Sequence, residues 1–93
     1  NISPVEIENI ILKIGSIKEC IVIGKPDKVW GEVVCAFVVS DQKFSIETIN
    51  HHLQQYLAIY KSVDKILSIQ EIPLTSTGKV NRNKLKNIIT YDE

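Results

Sequence analysis

Pro73-Leu74-Thr75-Ser76-Thr77-Gly78-Lys79-Val80-Asn81-Arg82 is the stretch around which this 93-residue chain is organised. It joins an apolar run to an amphipathic stretch that begins near Leu85. Pro73 has no backbone N–H to donate to a strand, and Gly78 permits a turn that a Cβ would hinder. The sequence therefore places Lys79 at a bend, where its ammonium can reach a phosphate or carboxylate oxygen.

A solvated turn is the commonest use of such a threonine-rich loop, and spacing alone favours that interpretation over an anion site. A P-loop is excluded, because it requires a glycine five residues before its Gly-Lys pair and Ser or Thr after it. Pro73 and Val80 occupy those two positions here.

Composition indicates one small globular domain. Hydrophobic residues make up 44% of the chain and charged residues 24%, which is sufficient for a modest core. The formal net charge is zero, so no large field draws the domain to nucleic acid or to an anionic membrane. No apolar run approaches the ~18 residues of a membrane span. We therefore expect a single domain over residues 1–93, in the cytoplasm, with no membrane span and no nucleic acid partner.

The two cysteines, Cys20 and Cys35, lie in apolar, strand-like runs and are expected to be buried free thiols. No Cys-x-x-Cys motif is present, so no metal site is predicted.

His51 and His52 are adjacent, which separates them by ~100° on a helix and excludes the spacing of a zinc-binding pair. Both histidines are expected at the surface.

Capping signals predict where the helices begin. Ser3 is followed by Glu6, with a proline between them, and Ser45 precedes a second apolar-periodic stretch. Asn81 is placed to cap a third helix, and Gly15 to end the first. The predicted elements are a helix over Pro4–Ile14, strands over Ile17–Ile23 and Val33–Val39, a helix over Ile46–Ala58, a strand over Lys65–Ile72, and a final helix after Asn81.

This order predicts an α+β fold, with a small three-stranded β-sheet and flanking helices in the order α-β-β-α-β-α. The second strand has little polarity, which is typical of a central strand covered on both faces. The link from Lys25 to Glu32 is expected to be too long for a tight hairpin. Tyr56 is assigned to the apolar stripe of the second helix.

The motif Pro-x-Thr-x-x-Gly-Lys-x-x-Arg, formed by Pro73, Thr75, Gly78, Lys79 and Arg82, resembles the closing motif of the acyl-adenylate-forming superfamily. That superfamily comprises acyl-CoA synthetases, adenylation domains of peptide synthetases, and luciferases. Further segments resemble the family in the same order along the chain: Asn1–Glu8, Gly24–Asp27, Trp30–Glu32, Ala36–Val39 and Leu57–Lys61.

The resemblance implies a C-terminal lid domain whose N-terminal adenylation domain and hinge lie outside these 93 residues. In the family a carboxylate attacks ATP to give an acyl-adenylate and pyrophosphate, and the thiol of CoA then displaces AMP. Lys79 is implied to be the catalytic lysine of the first step, supported by Thr75, Gly78 and Arg82. The carboxylic acid, ATP and CoA would bind as substrates at the interdomain cleft. Mg²⁺ is expected to bind to the N-terminal domain. The C-terminal domain alone is expected to bind no cofactor and to be inactive in isolation.

Trp30, Tyr60 and Lys61 match positions near the CoA entry path in acyl-CoA ligases, although packing at a sheet edge explains the two aromatic residues equally well. The chain reads Ser62-Val63 where the family usually has a proline after Tyr-Lys-x, which leaves the thiol acceptor open. An acyl-CoA ligase is preferred. The alternatives are the lid of a peptide synthetase that loads a carrier protein, and a stand-alone module that binds nucleic acid or protein through the basic residues Lys79, Arg82, Lys84 and Lys86.

Overall fold

The computed structural model describes residues 3–29, 31–57 and 62–92. Within these ranges the chain forms three helices and a three-stranded sheet in the order α-β-β-α-β-α, so the predicted α+β fold is confirmed. The elements are α1 Pro4–Ile11, β1 Ile17–Asp27, β2 Gly31–Ser40, α2 Ile46–Gln54, β3 Lys65–Ser68 and α3 Arg82–Asp92.

The sheet has the order β1-β2-β3, with β2 at its centre. β1 and β2 are antiparallel, and β2 and β3 are parallel and connected through α2. Because side chains alternate between the faces of a strand, β2 contributes to two cores. Val34, Ala36 and Val38 are buried beneath α1 and α2, whereas Cys35 and Phe37 are buried on the face that α3 covers. The predicted central strand, covered on both faces, is confirmed.

The predicted caps of α1 and α2 are confirmed. Ser3 Oγ accepts a hydrogen bond of 3.2 Å from the Glu6 N–H, and Ser45 Oγ accepts one of 3.1 Å from the Thr48 N–H. Each bond satisfies one of the amide donors that the first turn of a helix leaves without an intrahelical partner.

Two predicted helix ends are wrong, because both helices tighten before they stop. α1 ends at Ile11 instead of Ile14, and the N–H groups of Lys13 and Ile14 donate to carbonyls three residues back, as from Ile14 to Ile11 at 3.0 Å. Gly15 does not have a positive φ, so it does not end α1 as a left-handed cap. α2 ends at Gln54, and the predicted end at Ala58 lies outside the described residues.

The link between β1 and β2 is a tight hairpin, which corrects the expectation for Lys25–Glu32. Strand pairing continues to Asp27 and Gly31, well beyond the predicted strand ends. Asp27 Oδ2 accepts a 3.0 Å hydrogen bond from the Val29 N–H, and Gly31 has a φ of +82°. β3 is shorter than predicted, since its pairing with β2 stops at Ser68.

The histidine prediction is half right. His51 is exposed, but His52 is partly buried, and its Nε2 lies 2.8 Å from the carbonyl oxygen of Ile10, near the end of α1. The contact requires the tautomer protonated at Nε2. Tyr56 is 51% exposed because the chain has left α2 before this residue, so its assignment to the apolar stripe is wrong.

Cys20 and Cys35 are buried free thiols, as predicted. They belong to the two different cores, on opposite faces of the sheet. Burial raises the pKa of the Cys20 thiol to about 12, and the nearby charge of Glu8 and the Cys35 thiol add to the effect. A thiol of this kind is inert at neutral pH.

Candidate functional site

The candidate catalytic residue Lys79 lies in a short β-hairpin, which we call the lysine hairpin and define as Leu74–Val80. Leu74 and Val80 form an antiparallel bridge, and the Thr75 N–H donates a 2.7 Å hydrogen bond to the carbonyl oxygen of Lys79. Lys79 is therefore paired with Thr75 across the hairpin and directly follows the loop of residues 76–78. Its backbone carbonyl is fixed by the opposite arm.

The turn of the lysine hairpin depends on a glycine. The Gly78 N–H donates to the carbonyl oxygen of Thr75 at 2.9 Å, and Gly78 has a φ of +87°. This pattern matches a three-residue hairpin loop, in which a tight turn is followed by a glycine in the left-handed region. A Cβ built on Gly78 would meet no atom within 4 Å, so the requirement for glycine here is conformational and not steric.

The hydroxyl of Thr75 lies inside the loop. Its Oγ1 accepts a 3.2 Å hydrogen bond from the Lys79 N–H and lies 3.0 Å from Thr77 Oγ1. Both backbone polar groups of Lys79 are thus bonded to Thr75, through the side chain and through the main chain. Such double bonding favours one loop conformation, because an alternative would leave these groups without protein partners.

The base of the lysine hairpin is joined directly to α3. The Asn81 N–H donates to the carbonyl oxygen of Pro73 at 2.8 Å, and Asn81 Oδ1 accepts a 3.1 Å bond from the Lys84 N–H in the first turn of α3. The predicted Asn81 cap is therefore confirmed. Leu85 is fully buried against the sheet, so the helix that follows the hairpin is held by the core.

The side chain of Lys79 is exposed, in contrast to its backbone. Over residues 3–29, 31–57 and 62–92, the ammonium of Lys79 forms no ion pair, unlike that of Lys18, which lies 3.2 Å from Asp41 Oδ2. The hydrogen bonds that order the loop are made by backbone groups and threonine hydroxyls. The charge of Lys79 is thus available to an anion that approaches from outside.

Arg82 is also exposed and is the first residue of α3. Its N–H donates to the carbonyl oxygen of Val80 at 3.1 Å. The first turn of α3 contains no acidic residue, although acidic residues are favoured there by the positive end of the helix dipole. Arg82 and Lys84 instead add positive charge, which makes the surroundings of Lys79 favourable for a phosphate.

The other candidate residues, Trp30, Tyr60 and Lys61, lie outside the described residues. Described residues close to them in the sequence lie along the first half of β2. Gly31 begins β2, and Asp64 bonds to β2 through the Val34 N–H, which donates to Asp64 Oδ2 at 2.7 Å. The lysine hairpin instead lies beside the early part of β1, since Leu74 and Val80 line one groove together with residues 18–21.

An apolar groove beside the lysine hairpin was not predicted from the sequence. It has a volume of about 280 Å³ and runs between the end of α1, the outer edge of β1 and the two arms of the hairpin. Leu74 is 60% exposed at this groove, which is unusual for so large an apolar side chain. The proximity of Leu12 to Leu74 depends on tertiary packing, so no local pattern in the sequence could have indicated it.

The described residues contain neither a candidate metal cluster nor a helix that could span a membrane. No group of three or more His, Cys, Asp or Glu residues is arranged to hold a metal ion within the part of the chain that the structure covers. No helix in the described ranges has both the length and the apolar character needed to cross a bilayer.

Comparisons with known proteins agree with the geometry. The family model described as "AMP-binding enzyme C-terminal domain" matches residues 6–79. The 2-succinylbenzoate–CoA ligase of Listeria monocytogenes is 42% identical over 86 residues, which cover 92% of this chain and 18% of that protein. A fatty acyl CoA synthetase of Mycobacterium tuberculosis superimposes with a TM-score of 0.78 at 37% identity, over 91% of this chain and 17% of the other.

The ATP-bound structure of MatB from Rhodopseudomonas palustris is similar as well, with a TM-score of 0.81 at 32% identity over 95% of this chain and 18% of that chain. The chain thus spans less than a fifth of the length of each of these relatives.

Proposed function

Since the chain belongs to the AMP-binding enzyme C-terminal domain family, we propose that it is the lid of an ATP-dependent acyl-CoA ligase and delivers Lys79 to the adenylation site. The observation that carries the proposal is the contrast within Lys79. Its N–H and carbonyl are both bonded to Thr75, whereas its ammonium is exposed beside the positive start of α3. Thr75 and Gly78 order the loop, and Arg82 adds positive charge next to it.

In the proposed first step, an oxygen of the carboxylate attacks the α-phosphorus of ATP, and the bond to pyrophosphate breaks. Two anions must approach each other, and negative charge develops on the phosphoryl oxygens. An ammonium held between them opposes this repulsion at little cost in reorganisation. The N-terminal domain would bind the acid and ATP with the Mg²⁺ that accompanies it.

In the proposed second step, the sulfur of CoA attacks the acyl carbon and AMP leaves. We assign Trp30, Tyr60 and Lys61 to the approach of CoA, since aromatic faces suit an adenine ring and an ammonium suits a phosphate. Gly31, next to Trp30 in the sequence, lies at the far end of β1 and β2 from the lysine hairpin, and Asp64, close to Lys61 in the sequence, bonds to β2 at Val34. The two steps would therefore use different ends of this domain.

CoA is the preferred acceptor because the similar proteins are named as CoA ligases and synthetases. The carboxylic acid substrate is left unassigned, since one relative is named for 2-succinylbenzoate and another for fatty acyl groups. We expect the enzyme to act in the cytoplasm, where ATP and CoA are available, and we expect the isolated domain to have no ligase activity.

The test is Lys79→Ala in the full-length ligase that carries this domain. ATP–pyrophosphate exchange, with 2-succinylbenzoate as the first acid of a panel, measures adenylation. Conversion of the preformed acyl-adenylate by CoA measures the second step. Loss of one preorganised electrostatic contact should slow exchange by about 10²–10³-fold and leave thioester formation unchanged.

Lys43→Ala is the matched control, because Lys43 is an exposed lysine of the loop between β2 and α2. It should leave both steps at the rates of the unaltered enzyme. An equal loss of both steps in Lys79→Ala, or normal exchange, would show that Lys79 does not have the proposed role.

A further inference from the structure

Asn81 lies between the lysine hairpin and α3 and is hydrogen-bonded on both sides. Through its N–H it bonds to the carbonyl oxygen of Pro73 at 2.8 Å, one position beyond the Leu74–Val80 bridge. Through Oδ1 it accepts the Lys84 N–H at 3.1 Å, and its carbonyl oxygen accepts the Leu85 N–H at 3.4 Å. The last residue that pairs across the hairpin is thus the cap of the helix.

The helix that Asn81 caps is fixed by the core. Leu85 and Ile89 are both fully buried on the face of the sheet that carries Cys35 and Phe37. Because closely packed side chains resist displacement, α3 cannot shift along the sheet without opening this core. The base of the lysine hairpin is held in place by α3, because Asn81, which bonds to the hairpin, directly precedes the first residue of the helix, Arg82.

The start of α3 depends strongly on its cap. Arg82 and Lys84 oppose the positive end of the helix dipole, and the first turn has no acidic side chain. The first turn of α3 therefore depends on Asn81 Oδ1, which accepts the hydrogen bond from the Lys84 N–H. Without it, we expect the first turn to fray and the Pro73–Asn81 bond to lose its support.

We infer that Asn81 is a positioning residue for Lys79, acting through the cap of α3 on the base of the lysine hairpin. This inference rests on the proposed role of Lys79. Lys79 is two residues before Asn81, so a frayed junction moves the lysine hairpin relative to the rest of the lid. Small errors in placement have large effects on a step that requires two bound groups to be aligned.

The test compares three substitutions at Asn81 in the full-length ligase. Asn81→Ala removes the cap and should lower kcat for ATP–pyrophosphate exchange by about 10-fold or more, with KM for ATP unchanged, because a misplacement near 1 Å costs up to about 10²-fold. Asn81→Asp and Asn81→Ser retain a capping oxygen and should keep exchange within a few-fold of the unaltered rate. Thioester formation from preformed acyl-adenylate should be unchanged in all three.

Ser45→Ala is the matched control, because Ser45 is the equivalent cap of α2 and lies outside the lysine hairpin. It should lower the melting temperature about as much as Asn81→Ala does, with normal exchange. Thioester formation by the same preparation reports the folded fraction, so an unfolded variant is recognised by parallel loss of both steps. Such parallel loss, normal exchange in Asn81→Ala, failure of rescue by Ser, or an equal effect of Ser45→Ala would overturn the inference.

Lys79→Ala is measured alongside these variants. If Lys79→Ala shows normal exchange, the proposed function itself is wrong. If Lys79→Ala slows exchange and Asn81→Ala does not, the lid function stands and only the positioning role of Asn81 is lost.

Discussion

Gly78→Ala provides a direct test of how the lysine hairpin is held. Gly78 has a φ of +87°, and a Cβ added there would meet no atom within 4 Å. The cost of the substitution is therefore backbone strain alone, about 1–2 kcal/mol for a residue with a Cβ in the left-handed region. Alanine also restricts the unfolded chain, which offsets roughly 0.4–1 kcal/mol of that cost. We expect a net loss of about 1 kcal/mol in the free energy of unfolding.

The chain offers two matched glycines for comparison. Gly15 has equal space around it and no positive φ, so Gly15→Ala should be neutral or slightly stabilising. Gly31 has a φ of +82° and open space in the hairpin between β1 and β2, so Gly31→Ala should lose about as much stability as Gly78→Ala.

Thermal unfolding of the 93-residue domain, followed by far-ultraviolet circular dichroism, measures these differences. A loss of 1 kcal/mol lowers the melting temperature of a domain this small by about 4–8 °C. In the full-length ligase only Gly78→Ala should also slow ATP–pyrophosphate exchange. If Gly78→Ala and Gly15→Ala have the same melting temperature, the backbone strain assigned to Gly78 is refuted. If Gly31→Ala also slows ATP–pyrophosphate exchange, destabilisation alone explains the slower exchange of Gly78→Ala.

Three further predictions concern stability and reactivity. Glu8 Oε2 accepts a buried 2.9 Å hydrogen bond from the Val22 N–H. In urea denaturation, Glu8→Ala should therefore lower the free energy of unfolding by about 2 kcal/mol, and Glu8→Gln should lower it less. Equal losses in the two variants would contradict a role for this bond. Leu85 is 0% exposed, so Leu85→Ala should lower the free energy of unfolding by about 2–5 kcal/mol in the same assay. A loss below about 1 kcal/mol would contradict the place of Leu85 in the core. Burial raises the pKa of Cys20 to about 12, so only the unfolded chain ionises this thiol near pH 9. Stability should therefore fall as pH rises from 9 towards 12, and urea titrations at several pH values should show a smaller fall in Cys20→Ala.

Local signals predicted much of the fold and the core of the candidate site. The caps at Ser3, Ser45 and Asn81 were predictable because a capping side chain bonds to an amide only three residues away. The turn at Gly78 was predictable for a similar reason, since its geometry depends on the glycine itself. The order of elements and the doubly covered β2 followed from apolar runs and their periods.

The contacts that the sequence did not predict arise where distant segments meet. Nothing near His52 indicates that its ring will bond to the Ile10 carbonyl, 42 positions earlier in the chain. The groove beside Leu74 and the bond from the Val22 N–H to Glu8 depend equally on tertiary packing. The missed strand ends at Asp27 and Gly31 differ, because these residues are close in sequence and the pairing reaches them only when β1 and β2 are aligned over their full length.

The separation between the two ends of the sheet constrains how the proposed lid could work. The lysine hairpin lies across a groove from β1 residues up to Ile21, whereas Asp27 and Gly31 form the far end of the β1–β2 hairpin. At ~3.3 Å per residue, Ile21 and Asp27 are roughly 20 Å apart along the strand. In the proposed reaction the adenylate forms and reacts at one cleft, so both ends could not face that cleft in a single orientation of a rigid sheet. If the proposed assignments are right, the domain must turn between the steps, and a lid fixed with Lys79 in the cleft would form the adenylate but not the thioester.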